Sequence, residues 1–237
     1  MLFRYHHVTS HMQLTTVIFD MDGLLIDSEP CWAEAGSETL AKYDIRLTSE
    51  QYHTSTGLRT REWIEWWFGN FNIDSRYVQD AEKTIIAAAI QKIRDKAEPM
   101  PGVGYIFDFF KKQGFKIGLA SSSPMELIDV VVEKLGIADH LEAITSAELL
   151  PRGKPHPQVY LDCAALMNVL PMECVCFEDS FNGLIAAKAA RMKCIVIPEH
   201  KFSGELRWHA ADVILKSLNN FGEKEFLKIG GQLSIKA

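Results

Sequence analysis

The sequence predicts an α/β fold: a doubly wound, mostly parallel sheet with a helical domain inserted into it. Three observations carry this expectation. Short apolar runs such as Val17-Ile18-Phe19 and Cys174-Val175-Cys176-Phe177 read as strands buried on both faces. From residue 103 onward, strand-like and helix-like stretches alternate, which implies βαβ units with right-handed crossovers. Between these parts, residues 31–98 show helical periodicity alone, over a length that no plain loop would reach.

Taken in order, residues 1–13 are polar and carry His6, His7 and His11, so they read as a disordered extension with Met12 as an alternative start. They have no apolar stretch of the kind a secretory signal needs. The first strand ends in Asp20 and Asp22, two carboxylates spaced i, i+2 and followed by Gly23. Alternation along an extended backbone sends both towards one side, and Gly23 permits an unusual turn after them. The cap, residues 31–98, places Trp32, Gly36, Leu40 and Tyr43 at helical spacing, then Trp63, Trp66 and Trp67, then a long helix over 73–98 with Ile86, Ile90 and Ile93. The three tryptophans are expected in the core of this domain rather than on a substrate platform. Proline flanks it on both sides, so residues 28–31 and 98–102 are expected to act as hinges.

The catalytic core is expected to comprise residues 14–30 and 99–228, with 229–237 as a C-terminal tail. A helix over 103–113 should stop at Gly114. A strand over 116–120 leads into Ser121-Ser122-Ser123-Pro124, where Ser123 as N-cap, Pro124 as N1 and Glu126 as N3 spell a capping box. The helix that follows should bury Ile128, Val131, Val132 and Leu135 and end at Gly136. A strand at 143–145, a Pro-stiffened loop at 151–157, a helix at 158–167, a strand at 174–177, a helix at 182–190 and strands at 194–197 and 213–215 complete the pattern.

Composition excludes several classes of function. With 47% hydrophobic and 24% charged residues, a sizeable core is easy to build. A net charge of −6 argues against non-specific binding to nucleic acid, so no nucleic-acid partner is expected, and no apolar run approaches the roughly 20 residues of a membrane span. The five cysteines, Cys31, Cys163, Cys174, Cys176 and Cys194, are odd in number and lack C-x-x-C spacing. Neither a disulfide framework nor a zinc site is indicated, and a reducing, cytoplasmic setting fits them as buried inert thiols.

The ends of the strands carry the chemistry. In a parallel sheet Asp20 and Asp22, Ser121 and Ser122, and Glu178 and Asp179 all fall on one edge, joined by Lys154 from its loop. Like charges held together call for a cation, and oxygen donors in this number suit Mg²⁺. Phosphoryl transfer fits the set: an aspartate as nucleophile, Lys154 neutralising phosphate oxygens, Ser121 and nearby amides holding the group, and Asp22 moving the proton. Taken singly, Ser121 and Ser122 read as caps, Lys154 as a solvated lysine and Glu178-Asp179 as a turn.

The segment from Phe19 to Glu29, Ser121, Lys154 in Gly153-Lys154-Pro155-His156-Pro157, and Glu178-Asp179-Ser180 match, in order, the four motifs of the haloacid dehalogenase superfamily. The chain resembles its β-phosphoglucomutase-like branch, which has a Rossmann-like core and a helical cap. Within that branch, Gly118 to Pro124, Lys154 to Ala165 and Ala186 to Met192 are similar to bacterial 2-deoxyglucose-6-phosphate or hexitol phosphate phosphatases. The resemblance implies Asp20 as nucleophile and Asp22 as general acid and base. It also implies Mg²⁺ on the Asp20 side chain, the Asp22 carbonyl and Asp179, with Glu178 as an additional or neighbouring group. The expected substrate is a small phosphorylated sugar or polyol, acted on by a monomer.

A mutase of the same branch is the alternative. This chain departs from it in having Pro124 and Met125 where mutases grip a second phosphate, and Trp32 where they carry a histidine. Dehalogenases lack the acid at Asp22, and a phosphonatase would need a cap lysine, for which Lys42 has no support. A non-catalytic phosphate-binding protein would have lost one of Asp20, Asp22, Lys154 or Asp179. Within the cap, Gly57-Leu58-Arg59 interrupts the helices, and Arg59 is expected to reach sugar hydroxyls or phosphate.

Overall fold

The structure is a computed structural model that describes residues 13–233, so the expected N-terminal extension, Met12 and the end of the tail lie outside the described residues. Strand β1 (Thr16–Phe19) is followed by helices α1 (Glu29–Leu40), α2 (Ser49–Thr54), α3 (Thr60–Asn70) and α4 (Val78–Lys96). Then come α5 (Val103–Lys112), β2 (Lys116–Ser121), α6 (Met125–Leu135), β3 (Ala143–Ser146) and α7 (Gln158–Leu166). The chain continues with β4 (Cys174–Glu178), α8 (Phe181–Ala189), β5 (Lys193–Val196), β6 (Val213–Ile214) and α9 (Glu223–Lys228).

The strands form one six-stranded sheet in the order β3-β2-β1-β4-β5-β6, and every pairing is parallel. Strand alternation divides the core in two. Val17, Phe19, Ile117, Leu119, Val175 and Phe177 pack with α5, α6 and the helices of the insert. Ile18, Ala120, Cys174, Cys176 and Val196 face the opposite way, against α7 and α8. This double burial is why β1 and β4 read as unbroken apolar runs. Phe19, the last residue of β1, lies 5.0 Å from the Phe107 ring and 5.1 Å from that of Phe177, which fixes the strand end that carries the acids.

Helices α1 to α4 form a bundle with apolar contacts of its own. Along α3, Trp63, Ile64, Trp67 and Phe68 are buried, as i, i+4 spacing requires. Trp66 does not join them: it is 58% exposed, because one step of 100° turns it off that stripe. The Trp63 ring lies over Gly36 of α1, where a Cβ would come within 3.0 Å of it. The bundle joins the sheet through two neighbouring stretches of chain. Asp27 N–H donates to Glu98 O at 2.9 Å and Met100 N–H to Leu25 O at 2.9 Å.

The expected capping box does not form. Helix α6 starts at Met125 with Pro124 as N-cap and no side-chain cap, and Met125 N–H donates instead to the Glu148 carboxylate at 3.1 Å. The Ser123 hydroxyl has a different partner, described below. Leu135 is half-buried rather than buried. All five cysteines are free and buried, and burial pushes the thiols of Cys163 and Cys174 up to about 12. No helix among the described residues is long and apolar enough to cross a membrane.

Candidate active site

Beyond Phe19 the backbone leaves the sheet in a tight turn. Met21 O accepts from Leu25 N–H at 2.8 Å, and Gly23 adopts φ 69°. Glycine is needed there, since a Cβ would overlap the Asp179 carboxylate. The turn leaves Asp20 buried at the end of β1 and Asp22 facing the start of α1.

Around Asp20 the charges are concentrated. Lys154 Nζ donates to Asp20 Oδ1 at 2.6 Å, to Glu178 Oε1 at 2.7 Å and to Ala120 O at 3.1 Å. Lys154 is 1% exposed and Glu178 fully buried. Burial alone would lower the lysine's pKa, but the carboxylates of Asp20 and Glu178 outweigh it and hold the ammonium above its usual value. Glu178 is held in turn by the Tyr160 hydroxyl and by Ser180 Oγ at 3.2 Å. Gly183 leaves room for it, because a Cβ there would overlap the carboxylate. Glu178 therefore sits behind Lys154 and orients it.

Carboxylate oxygens of Asp20, Glu178 and Asp179 all lie within 4.8 Å of one another. Asp20 is pushed up to about 8: burial raises it, Lys154 opposes, and Glu178 and Asp22 add to the rise. Asp179 is raised well above the carboxylate range by burial, then by Asp20, Glu29 and Glu178. Three acids around one lysine leave excess negative charge, and a hard divalent cation with oxygen ligands fits that donor set.

Asp22 is held by hydroxyls and an indole. Its Oδ1 accepts from Ser28 Oγ at 2.7 Å and Trp32 Nε1 at 2.9 Å, and its Oδ2 from Ser123 Oγ at 2.6 Å and Ser121 Oγ at 3.4 Å. This explains the missing cap on α6. Ser123 serves Asp22 rather than its own helix, and Ser28 likewise makes no cap on α1. The Ser122 hydroxyl donates to Gly57 O at 2.9 Å, across to the insert.

These groups floor a cleft whose far walls come from α1, α2 and α3. Between its walls lies about 670 Å³ of space, open mouth included. That suits a small ligand. Asp20, Asp22, Ser121, Ser122, Lys154 and Asp179 line it, opposite Glu29, Trp32, Tyr52 and Trp63. Glu29 is raised to about 8 by burial, then by Asp22 and Asp20.

Arg59 has no place in that lining. Its guanidinium donates to Leu150 O at 2.5 Å and Ala147 O at 3.1 Å, and pairs with Glu62 at 2.6 Å. Glu62 also accepts Gly153 N–H at 3.0 Å, next to Lys154. The unpaired carbonyls of the loop between β3 and α7 offer a guanidinium several acceptors and so draw it away from the cleft. Arg59 is thus a clasp between insert and loop.

Sequence reasoning missed Ser28 and Trp32. Four residues apart, Ser28 just before α1 and Trp32 in its first turn, both aimed at Asp22, they were findable from helical spacing. Tyr160 and Ser123 gave no such signal, since their partners are distant in the chain.

The family described as haloacid dehalogenase-like hydrolase matches residues 14–191. Hexitol phosphatase B of Escherichia coli K12 is 40% identical over 216 residues, covering 91% of this chain and 97% of the relative. Among solved structures, β-phosphoglucomutase from Clostridium difficile superposes with TM-score 0.81 at 22% identity, covering 92% of this chain and 98% of that one. CbbY from Rhodobacter sphaeroides, in complex with phosphate, does so with TM-score 0.79 at 23% identity, covering 89% of this chain and 97% of that one.

Proposed function

Because the chain belongs to the haloacid dehalogenase-like hydrolases, we propose that it is a Mg²⁺-dependent phosphatase of small sugar or sugar-alcohol phosphates, working through an aspartyl-phosphate on Asp20. The observation that carries the reading is the convergence of Asp20, Asp179 and Glu178 within 4.8 Å, with Lys154 2.6 Å from Asp20. The hexitol phosphatase relative supports a polyol or sugar ester as substrate.

Asp20, Asp179 and the Asp22 carbonyl would hold Mg²⁺, with Glu178 nearby, and the ion would neutralise charge on the phosphate oxygens. Lys154 fixes Asp20 Oδ1 and adds a second positive charge. An Asp20 oxygen attacks phosphorus, the ester P–O bond breaks, and Asp22 gives its proton to the leaving alkoxide. Asp22 then takes a proton from water, whose oxygen attacks phosphorus and frees both inorganic phosphate and Asp20. Ser28, Trp32, Ser121 and Ser123 keep Asp22 in place for both transfers. Ser121 and Ser122 flank the transferring group. The helices α1 to α4 act as a cap that excludes water while the intermediate forms.

A mutase must hold a second phosphate, and Lys154 is the only basic side chain among the described residues lining the cleft. That favours hydrolysis of monophosphates. Asp20→Asn should reduce Mg²⁺-dependent phosphate release from hexitol and hexose phosphates to background while circular dichroism stays native. Activity retained in that variant, or unaffected by EDTA, would remove the mechanism. Including β-glucose 1-phosphate with a bisphosphate activator tests the mutase alternative.

A further inference from the structure

On the walls that α1 and α2 give the cleft, two polar side chains have no hydrogen-bond partner among the described residues. The Glu29 carboxylate and the Tyr52 hydroxyl both line the cleft, and neither is hydrogen-bonded to any described residue. Asp22, Lys154 and Ser122 all have protein partners, and the Asp179 carboxylate, which has none, is already assigned to the ion. Both are half-buried, and polar groups that line a cleft with no protein partner are where a ligand can complete the bonding. Glu29 begins α1 and Tyr52 lies on α2, and the Trp63 ring, which packs against Tyr52 and over Gly36 of α1, joins the two walls.

Their surroundings narrow the ligand. Trp63 packs edge-on to Tyr52 at 5.9 Å, and its ring and that of Trp32 wall the same space. A carboxylate accepts hydrogen bonds from two adjacent hydroxyls, a phenol both donates and accepts, and indole faces pack against C–H groups. Lys154 is the only cationic side chain among the described residues lining the cleft, so a second phosphate finds no cationic side chain on the α1 and α2 walls. We propose that Glu29 and Tyr52 are the specificity-determining pair of this enzyme, reading the hydroxyls of the carbon chain of a polyhydroxylated monophosphate. The assignment rests on the phosphatase reading above.

The test compares the wild-type full chain with Glu29→Gln, Glu29→Asp and Tyr52→Phe, each with Mg²⁺, on sorbitol 6-phosphate and on phenyl phosphate, which has no hydroxyls. The ratio of kcat/KM for the two esters should fall by about tenfold or more in Glu29→Gln, chiefly through KM, as loss of one charge-assisted hydrogen bond requires. Tyr52→Phe should lower it in the same direction, and Glu29→Asp should lower it least. A ratio held within about twofold of wild type while both efficiencies fall together would overturn the assignment and place Glu29 at the phosphoryl group. Tyr52→Phe keeps the question open to refutation should the Glu29 variants fail to fold. Wild type that hydrolyses both esters equally well would overturn this assignment alone. Wild type that hydrolyses neither would overturn the phosphatase reading and this assignment with it.

Discussion

Lys154 is 1% exposed and touches both Asp20 and Glu178, so its charge is what permits two acids to be buried side by side. Replacing one partner of such a cluster costs more than the pair itself contributes, because the remaining charges stay buried and unpaired. Lys154→Met should therefore abolish turnover and also lower stability in Mg²⁺-free urea unfolding, by about 3–5 kcal/mol. An unchanged midpoint would mean that the carboxylates are compensated by something other than lysine. Gly183 belongs to the same argument: Gly183→Ala should displace Glu178 and loosen Lys154, lowering kcat without altering the residues that touch substrate. At Asp22, Ser123 shows how local propensity yields to a stronger partner. A hydroxyl suited to capping α6 instead donates to a carboxylate at 2.6 Å, and a charge-assisted bond is roughly twice as strong as a neutral one.

Among the elements, α3 and the loop between β3 and α7 are tied by Arg59 and Glu62. Gly153 is where they meet, and a Cβ there would come within 2.6 Å of the Glu62 carboxylate and 2.7 Å of Arg59. Since Lys154 is the next residue, docking of the helical insert is expected to bear on the placement of the lysine. Arg59→Ala is expected to lower kcat/KM by about tenfold, the equivalent of one charge-assisted hydrogen bond, with Tm falling by no more than a few degrees. Steady-state kinetics and calorimetry together check this, and a variant with wild-type kinetics would make the clasp ornamental. The two connecting stretches, paired through Asp27 and Glu98, are the expected pivots. Crystals grown with and without a phosphate analogue should differ in the angle between insert and sheet, and an identical angle would count against closure.

For the molecule as a whole, the acidic cleft makes stability depend on pH and metal together. Asp20 and Glu29 are both raised to about 8, burial being the largest cause in each case. A carboxyl raised in the fold binds more protons there than in the unfolded chain, whose carboxyls titrate at about 4. The stabilising contribution of these groups is therefore complete below about pH 4 and is lost as pH rises towards 8. In EDTA, Tm should decline between pH 5 and pH 8, and Mg²⁺ should raise it more at pH 8 than at pH 5. Differential scanning calorimetry at both pH values checks this, and a metal-free Tm that is flat across the window would refute it.

The α/β class, the parallel sheet and the strand ends bearing Asp20, Asp22, Ser121, Glu178 and Asp179 were legible in the sequence alone. Those features depend on patterns of short range: apolar runs buried on both faces, turn residues after them, and the rule that parallel strands finish on one edge. Partnership was not legible. That Ser123 binds Asp22 rather than capping α6 and that Arg59 clasps a loop instead of entering the cleft were decided only by the tertiary structure. A side chain with several feasible partners takes the strongest acceptor within reach, and which acceptor is within reach is set by segments dozens of residues away.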